Sequence, residues 1–347
     1  MSDARVTREG LEGVRPGREA SSDYSTRRPR KGGRRGGRGE QPTVPDADFR
    51  SYYGKPVLNK PVWSPQDIAG YLFLGGLAGG SSLLAAAAAV RGEERLARVA
   101  KVGAASAGVL SLAALVHDLG KPTRFLHMLR VVKVTSPMNM GSWLLAGYVP
   151  TTLVAAACEV TGRLRPVGAA ATAGAAVMGP AVASYTAVLI ADTAVPAWHD
   201  GYREMPFVFV GSGAMAAGGL GLLGSSQRAQ GLPRRVAQLG SLAELSSSML
   251  MERRMGMVAE PYKKGRSGAL MRVGQVLAVA GNVTALLGRG NRAAGVAAGT
   301  TLMLSSAITR FGIFSAGIAS AQDPRYTVQP QRERLTNAGR GARADAG

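Results

Sequence analysis

The sequence predicts an all-α integral membrane protein: an eight-transmembrane-helix bundle with a disordered basic N-terminal tail. Three observations carry that prediction. Long runs without a single charged residue recur between Ile68 and about Gln322. Glycine is dense inside those runs, 47 in a chain of 347, which would be costly for helices in water. Charge is segregated, since residues 1–60 hold 14 of the 42 Lys and Arg, centred on "RRPRKGGRRGGRGE". A mean hydropathy of +0.05 is therefore an average over two unlike materials. The formal charge of +20 belongs to tails and loops and makes no case for a nucleic-acid partner.

Residues 1–60 lack the apolar core of a signal peptide, so the first span itself is expected to direct insertion. The basic arm reads as disordered and able to touch anionic membrane lipid. The membrane domain follows over 61–322, and a polar tail over 323–347. A helix needs about 20 residues to cross about 30 Å of hydrocarbon. Four runs meet that with no charge at all: Ile68–Val90, Met140–Cys158, Val167–Ala191 and Met205–Gln227. A fifth, about Val99 to His117, contains Lys101 near its edge, where the side chain can snorkel. Three more hold an ionisable group within them: about 233–251 with Glu244, beyond Arg234 and Arg235 at its start, 269–288 with Arg272, and 293–320 with Arg310.

Within the first span, "LGGLAGGSS" places Gly75 four residues from Gly79 and Gly76 four from Gly80, a face for close helix packing in lipid. Of the Lys and Arg outside spans, 29 fall on the arm's side and 11 on the opposite side. Both termini are therefore expected in the cytoplasm, with the chain in the cytoplasmic (inner) membrane.

Glu244 and Arg310 lie well inside their spans, where a charge must be paired or hydrated. They read as a buried pair or as the lining of a proton path. One cysteine, Cys158, excludes an internal disulfide and cannot hold an iron–sulfur cluster. The three histidines, His117, His127 and His199, stand at or outside helix ends, so no haem is expected.

Four stretches carry a resemblance. They are "SYYGKPVLNKPVW" with "YLFLGGLAGGS" (51–81), "DLGKPTRFLHMLR" continuing to "SPMNMGSWLL" (118–145), "SYTAVLIADTAVPAWHD" (184–200) and "RFGIFSAGIASAQDPRYTVQPQRERL" (310–335). In this order the chain resembles the NrfD-like, polysulfide-reductase membrane-subunit family. The resemblance implies a haem-free integral subunit that exchanges electrons and protons with quinone or menaquinone. It also implies a four-cluster ferredoxin-like iron–sulfur subunit and a molybdopterin catalytic subunit as partners.

A quinone site needs an apolar slot, groups that hydrogen-bond the carbonyls, and a proton carrier on one side of the membrane. Counting spans places Gln66 and Asp67, His117 and Asp118, Tyr185 and Asp192, and Glu252 on the arm's side. The resemblance carries the quinone role onto Asp118, Tyr185 and the helix entry at Gln66, with His117 beside them. Asp118 is expected to relay protons, Tyr185 to bond a quinone oxygen, and Arg124 to hold Asp118. Asp192 joins Glu244 and Arg310 as a proton-path candidate. The plainer alternative makes Asp118 a loop cap and Tyr185 an interfacial belt aromatic. Loops 118–139 and 252–268, with "QDPRYTVQPQRERL", are expected to hold the iron–sulfur subunit. A transporter or channel is the alternative function, since eight small-residue helices could also build one.

Overall fold

The computed structural model describes residues 5–7, 10–12, 57–59, 61, 63–121 and 123–344, with side chains from 57 to 334 among these. Its membrane unit, Pro61–Ser320, is built from helices that follow the uncharged runs. In chain order these are α1 (Pro65–Val90), α2 (Glu94–Asp118), a short α3 (Thr123–Met128), α4 (Pro137–Thr161) and α5 (Arg165–Ala191). They are followed by a four-residue α6 (Pro196–His199), α7 (Met205–Gly224), α8 (Gly231–Met255), a four-residue α9 (Glu260–Lys263), α10 (Gly265–Leu287) and α11 (Arg292–Gln322).

Seven of these, α1, α2, α4, α5, α7, α10 and α11, are long and apolar enough to cross a membrane. Helix α8 is long enough at 25 residues but carries Arg234, Arg235, Glu244, Glu252, Arg253 and Arg254, which dilute its apolar character. Helices α4 and α5 continue through Pro150 and Pro180.

Local chemistry sets the ends. Ser64 caps α1 with its hydroxyl on the Asp67 N–H, and Pro65 opens the helix. Ser136 and Pro137 repeat that start at α4. Helix α2 stops at Asp118, and Gly120 follows at φ +69°.

Close backbone contact uses the glycines of α1 on two faces. A Cβ on Gly79 would lie 2.3 Å from the Gly179 carbonyl oxygen of α5, and one on Gly80 would lie 2.5 Å from that of Gly213 on α7. Such approach is open only to glycine and gains the dispersion contacts that hold helices together where lipid is as apolar as their side chains. Helix α8 packs antiparallel along α7: Gly211 meets Glu244 and Gly240, while Gly218 meets Pro233 and Ala237.

Outside the membrane unit, Arg5–Thr7 (β1) and Gly10–Glu12 (β2) pair antiparallel, Val6 opposite Leu11. These six residues depart from the expected disorder of the arm, with β-branched Val6 and Thr7 favouring strand. The expectation for the remainder of residues 1–56 falls outside the described residues. The C-terminal segment, expected only to be polar, forms helix α12 (Arg325–Ala344).

Candidate functional site

At the end of the bundle where α1 begins and α2 finishes, polar groups from residues some fifty positions apart converge. The backbone N–H of Ser64 donates to Asp118 Oδ1 at 3.2 Å. His117 Nδ1 lies 3.1 Å from Asp67 Oδ2, and the Ser64 hydroxyl meets Gln66 Oε1 at 3.3 Å. Ser64 thus ties Gln66, Asp67 and Asp118 into one cluster, with His117 on its outer edge. Gln66 and His117 are exposed, while Asp67 and Asp118 are half-buried. Asp118 therefore caps the entry of the neighbouring helix rather than its own loop.

One turn further in, Tyr71 of α1 and Tyr185 of α5 meet edge to face, with centroids 6.5 Å apart. Tyr185 fits because residue 141 on α4 is glycine: a Cβ there would lie 2.0 Å from its ring. Tyr71 is fully buried, and its hydroxyl has no hydrogen-bond partner among the described residues. Leaving a buried hydroxyl unpaired costs about 1–3 kcal/mol. Such a group marks a place where another molecule can supply the missing bond. Arg124, expected to hold Asp118, instead donates from Nη1 to the Leu119 carbonyl at 3.3 Å, because α3 starts only after Gly120 turns the chain away.

A second polar centre lies inside the bundle. Arg310 of α11 is fully buried, donates from Nη2 to the Phe209 carbonyl at 2.7 Å, and covers the Phe209 ring at 3.7 Å. Gly76 leaves it room, since a Cβ there would stand 3.2 Å from Nη2. Glu244 of α8 is buried beside Ser212, Thr309 and the Arg310 charge, and Ser212 bonds Ser306 at 2.8 Å. Glu244 Oε2 and Arg310 Nε and Nη1 have no hydrogen-bond partner among the described residues. Next along α8, Ser241 accepts from Asn282 Nδ2 of α10 at 2.8 Å. Asp192 is exposed at the C-cap of α5, at the surface rather than with this pair.

Trp198 anchors the cluster end of the bundle. It is fully buried, stacks on Trp63 at 5.8 Å and donates from Nε1 to the Ile313 carbonyl at 2.9 Å. Gly317 presents bare backbone to its indole, where a Cβ would lie 1.9 Å away. Sequence reading did not assign roles to Ser64, Tyr71 or Trp198. The "WSPQD" cap signature identified Ser64 in principle, whereas the orphaned hydroxyl of Tyr71 exists only in the packed state.

No curated protein matches the chain in sequence. The family described as polysulphide reductase, NrfD, matches over residues 56–287, which includes both tyrosines, the Ser64 cluster and Glu244. Helix α11 with Arg310, and the last of the four resembling stretches, lie beyond the matched residues. A match over most of the chain, carried on a helical multi-pass membrane fold, means that the protein belongs to the NrfD family, whose members are typically membrane subunits of oxidoreductase complexes.

Proposed function

We propose that this chain is the membrane anchor of a respiratory molybdopterin and iron–sulfur oxidoreductase, exchanging electrons and protons with quinone at the Ser64–Asp118 end of α1 and α2. The observation that carries the reading is the orphaned Tyr71 hydroxyl. It lies beside Tyr185 and one helical turn inside a cluster of two carboxylates and a histidine. With that one unpaired donor, an aromatic slot opening between these two rings would suit a quinone carbonyl. Asp118 and Asp67 at its mouth suit the two protons that accompany two electrons in forming a quinol.

The electrons come from a four-cluster iron–sulfur subunit docked on the same face, at loops 118–139 and 252–268, and this chain carries neither haem nor cluster of its own. Both termini lie on that cytoplasmic face. Helix α8 brings the spans to eight, as the sixth in chain order, a reading supported by its antiparallel course along α7. Glu244 and Arg310 line a proton path through the middle of the bundle.

Tyr71→Phe tests the slot. One neutral hydrogen bond is worth about 1 kcal/mol, so apparent quinone affinity should fall about fivefold. Unfolding temperature should hold or rise, because no internal bond is lost. Unchanged affinity would remove quinone from this slot.

A further inference from the structure

Between α2 and α4, on the face turned away from the rest of the bundle, runs an open groove of about 630 Å³. Its floor is Ala105, Ser106, Ala156 and Ala157, and its walls include the exposed side chains of Val109 and Leu153. Along α2 the groove runs from Val102 to Leu110, nine residues or about 12 Å of helix.

Its upper end lies at the bundle end opposite the tyrosine slot, and charge gathers there. Arg98, one turn beyond Val102 on the same helix face, has a side chain 61% exposed and places Nε 3.7 Å from Glu159 Oε1. Lys101 binds the other oxygen of Glu159 at 2.8 Å and is nearly buried. Two cations thus share one carboxylate, with exposed Glu94 one turn before Arg98. Exposed Arg163, four residues past Glu159 where α4 has ended, tips the balance at the groove mouth to positive.

In a membrane this face is covered by something apolar. A spanning helix of a partner would need contact along much of about 30 Å of hydrocarbon. A furrow of about 12 Å that ends beneath an exposed guanidinium instead matches one acyl chain with a phosphate above it. We infer that the α2–α4 groove is a binding site for an anionic phospholipid, with one acyl chain in the groove and the phosphate on Arg98 and Arg163. Zwitterionic lipid can fill the same furrow but brings its own cation to a site already cationic, so anionic headgroups are selected. Glu159 has a positioning role: it holds Arg98 over the groove while Lys101 cancels its charge.

The test uses the full chain, purified in mild detergent and stripped of lipid. Phosphatidylglycerol and phosphatidylcholine with identical acyl chains are added back and counted by native mass spectrometry. Phosphatidylglycerol should be retained about tenfold better. Arg98→Gln should weaken it about fivefold, the effect of one basic residue near an anionic headgroup, and leave phosphatidylcholine unchanged. Ser106→Phe fills the groove from an exposed position without disturbing the core, and should reduce both lipids. Equal retention of the two lipids, or indifference to Arg98→Gln, would overturn the selectivity. Indifference to Ser106→Phe would overturn the seat. Crosslinking of Ser106→Cys in membranes to another polypeptide instead of lipid would assign the groove to a partner helix and refute the proposal.

Discussion

Arg310 and Glu244 put opposite charges inside the bundle without a direct bond between them, each with polar atoms left over. Removing one charge strands the other, so Glu244→Gln should cost about 3–5 kcal/mol of stability. Replacing both at once, as Glu244→Leu with Arg310→Met, should recover most of it, because apolar substitutes for a buried ion pair are commonly neutral. Proton movement in proteoliposomes should stay lost in the double variant if the pair lines a path. Recovery of both stability and proton movement would leave the pair purely structural. That each helix carries an ionisable group within an apolar run was readable from the sequence, since such a charge is a local fact. That His117 faces Asp67, that Ser64 holds Asp118, and that Arg124 turns to Leu119 was not. Those pairings join separate helices and depend on packing that local pattern does not encode.

Helices were readable wherever charge was absent. The run from Ile68 to Val90 lies inside α1, and the cap pulls the start back to Pro65. The run from Met205 was read three residues too far, because Ser225 and Ser226 are uncharged but extended, and α7 ends at Gly224. Helix α8 was the hardest to class, and the structure supplies its anchor. Arg254 in its last turn makes a two-pronged pair with Glu204 at the start of α7, at 2.7 and 2.6 Å, and also bonds the Asp200 carbonyl. The guanidinium hydrogen bond holds the Glu204 carboxyl below the ordinary carboxylate range. A lowered folded-state pKa contributes stability above the ordinary value and loses it as pH falls through the lowered one. Glu204→Gln should therefore reduce stability at neutral pH by about 2 kcal/mol, measured by thermal unfolding in detergent. The deficit should shrink towards zero as the pH is lowered through the acid range. A deficit independent of pH would mean that packing, not the ion pair, holds α7 to α8.

For the whole molecule, the membrane class and family were recoverable from uncharged runs and four short stretches, whereas topology rests on α8. In a Cys158→Ser background, Arg228→Cys and Arg266→Cys flank α8. Eight spans with cytoplasmic termini place Arg266→Cys within reach of a thiol reagent from the cytoplasmic side alone, and Arg228→Cys from the opposite side alone. Labelling of both from one side would leave α8 outside the membrane crossing. Protection of Arg266→Cys in the assembled complex is the expected sign of the iron–sulfur partner on that face. Quinone exchange at the α1–α2 end is tested most directly by Asp118→Asn in the intact complex. The substitution keeps an oxygen to accept the Ser64 N–H but removes the exchangeable proton. General acid–base catalysis typically supplies 10²–10⁴-fold. Per complex in the membrane, quinone-coupled turnover should fall at least about tenfold, while electron transfer from the catalytic subunit to an artificial acceptor persists. Equal loss of both activities would leave Asp118 with its capping role alone and contradict quinone exchange at this end.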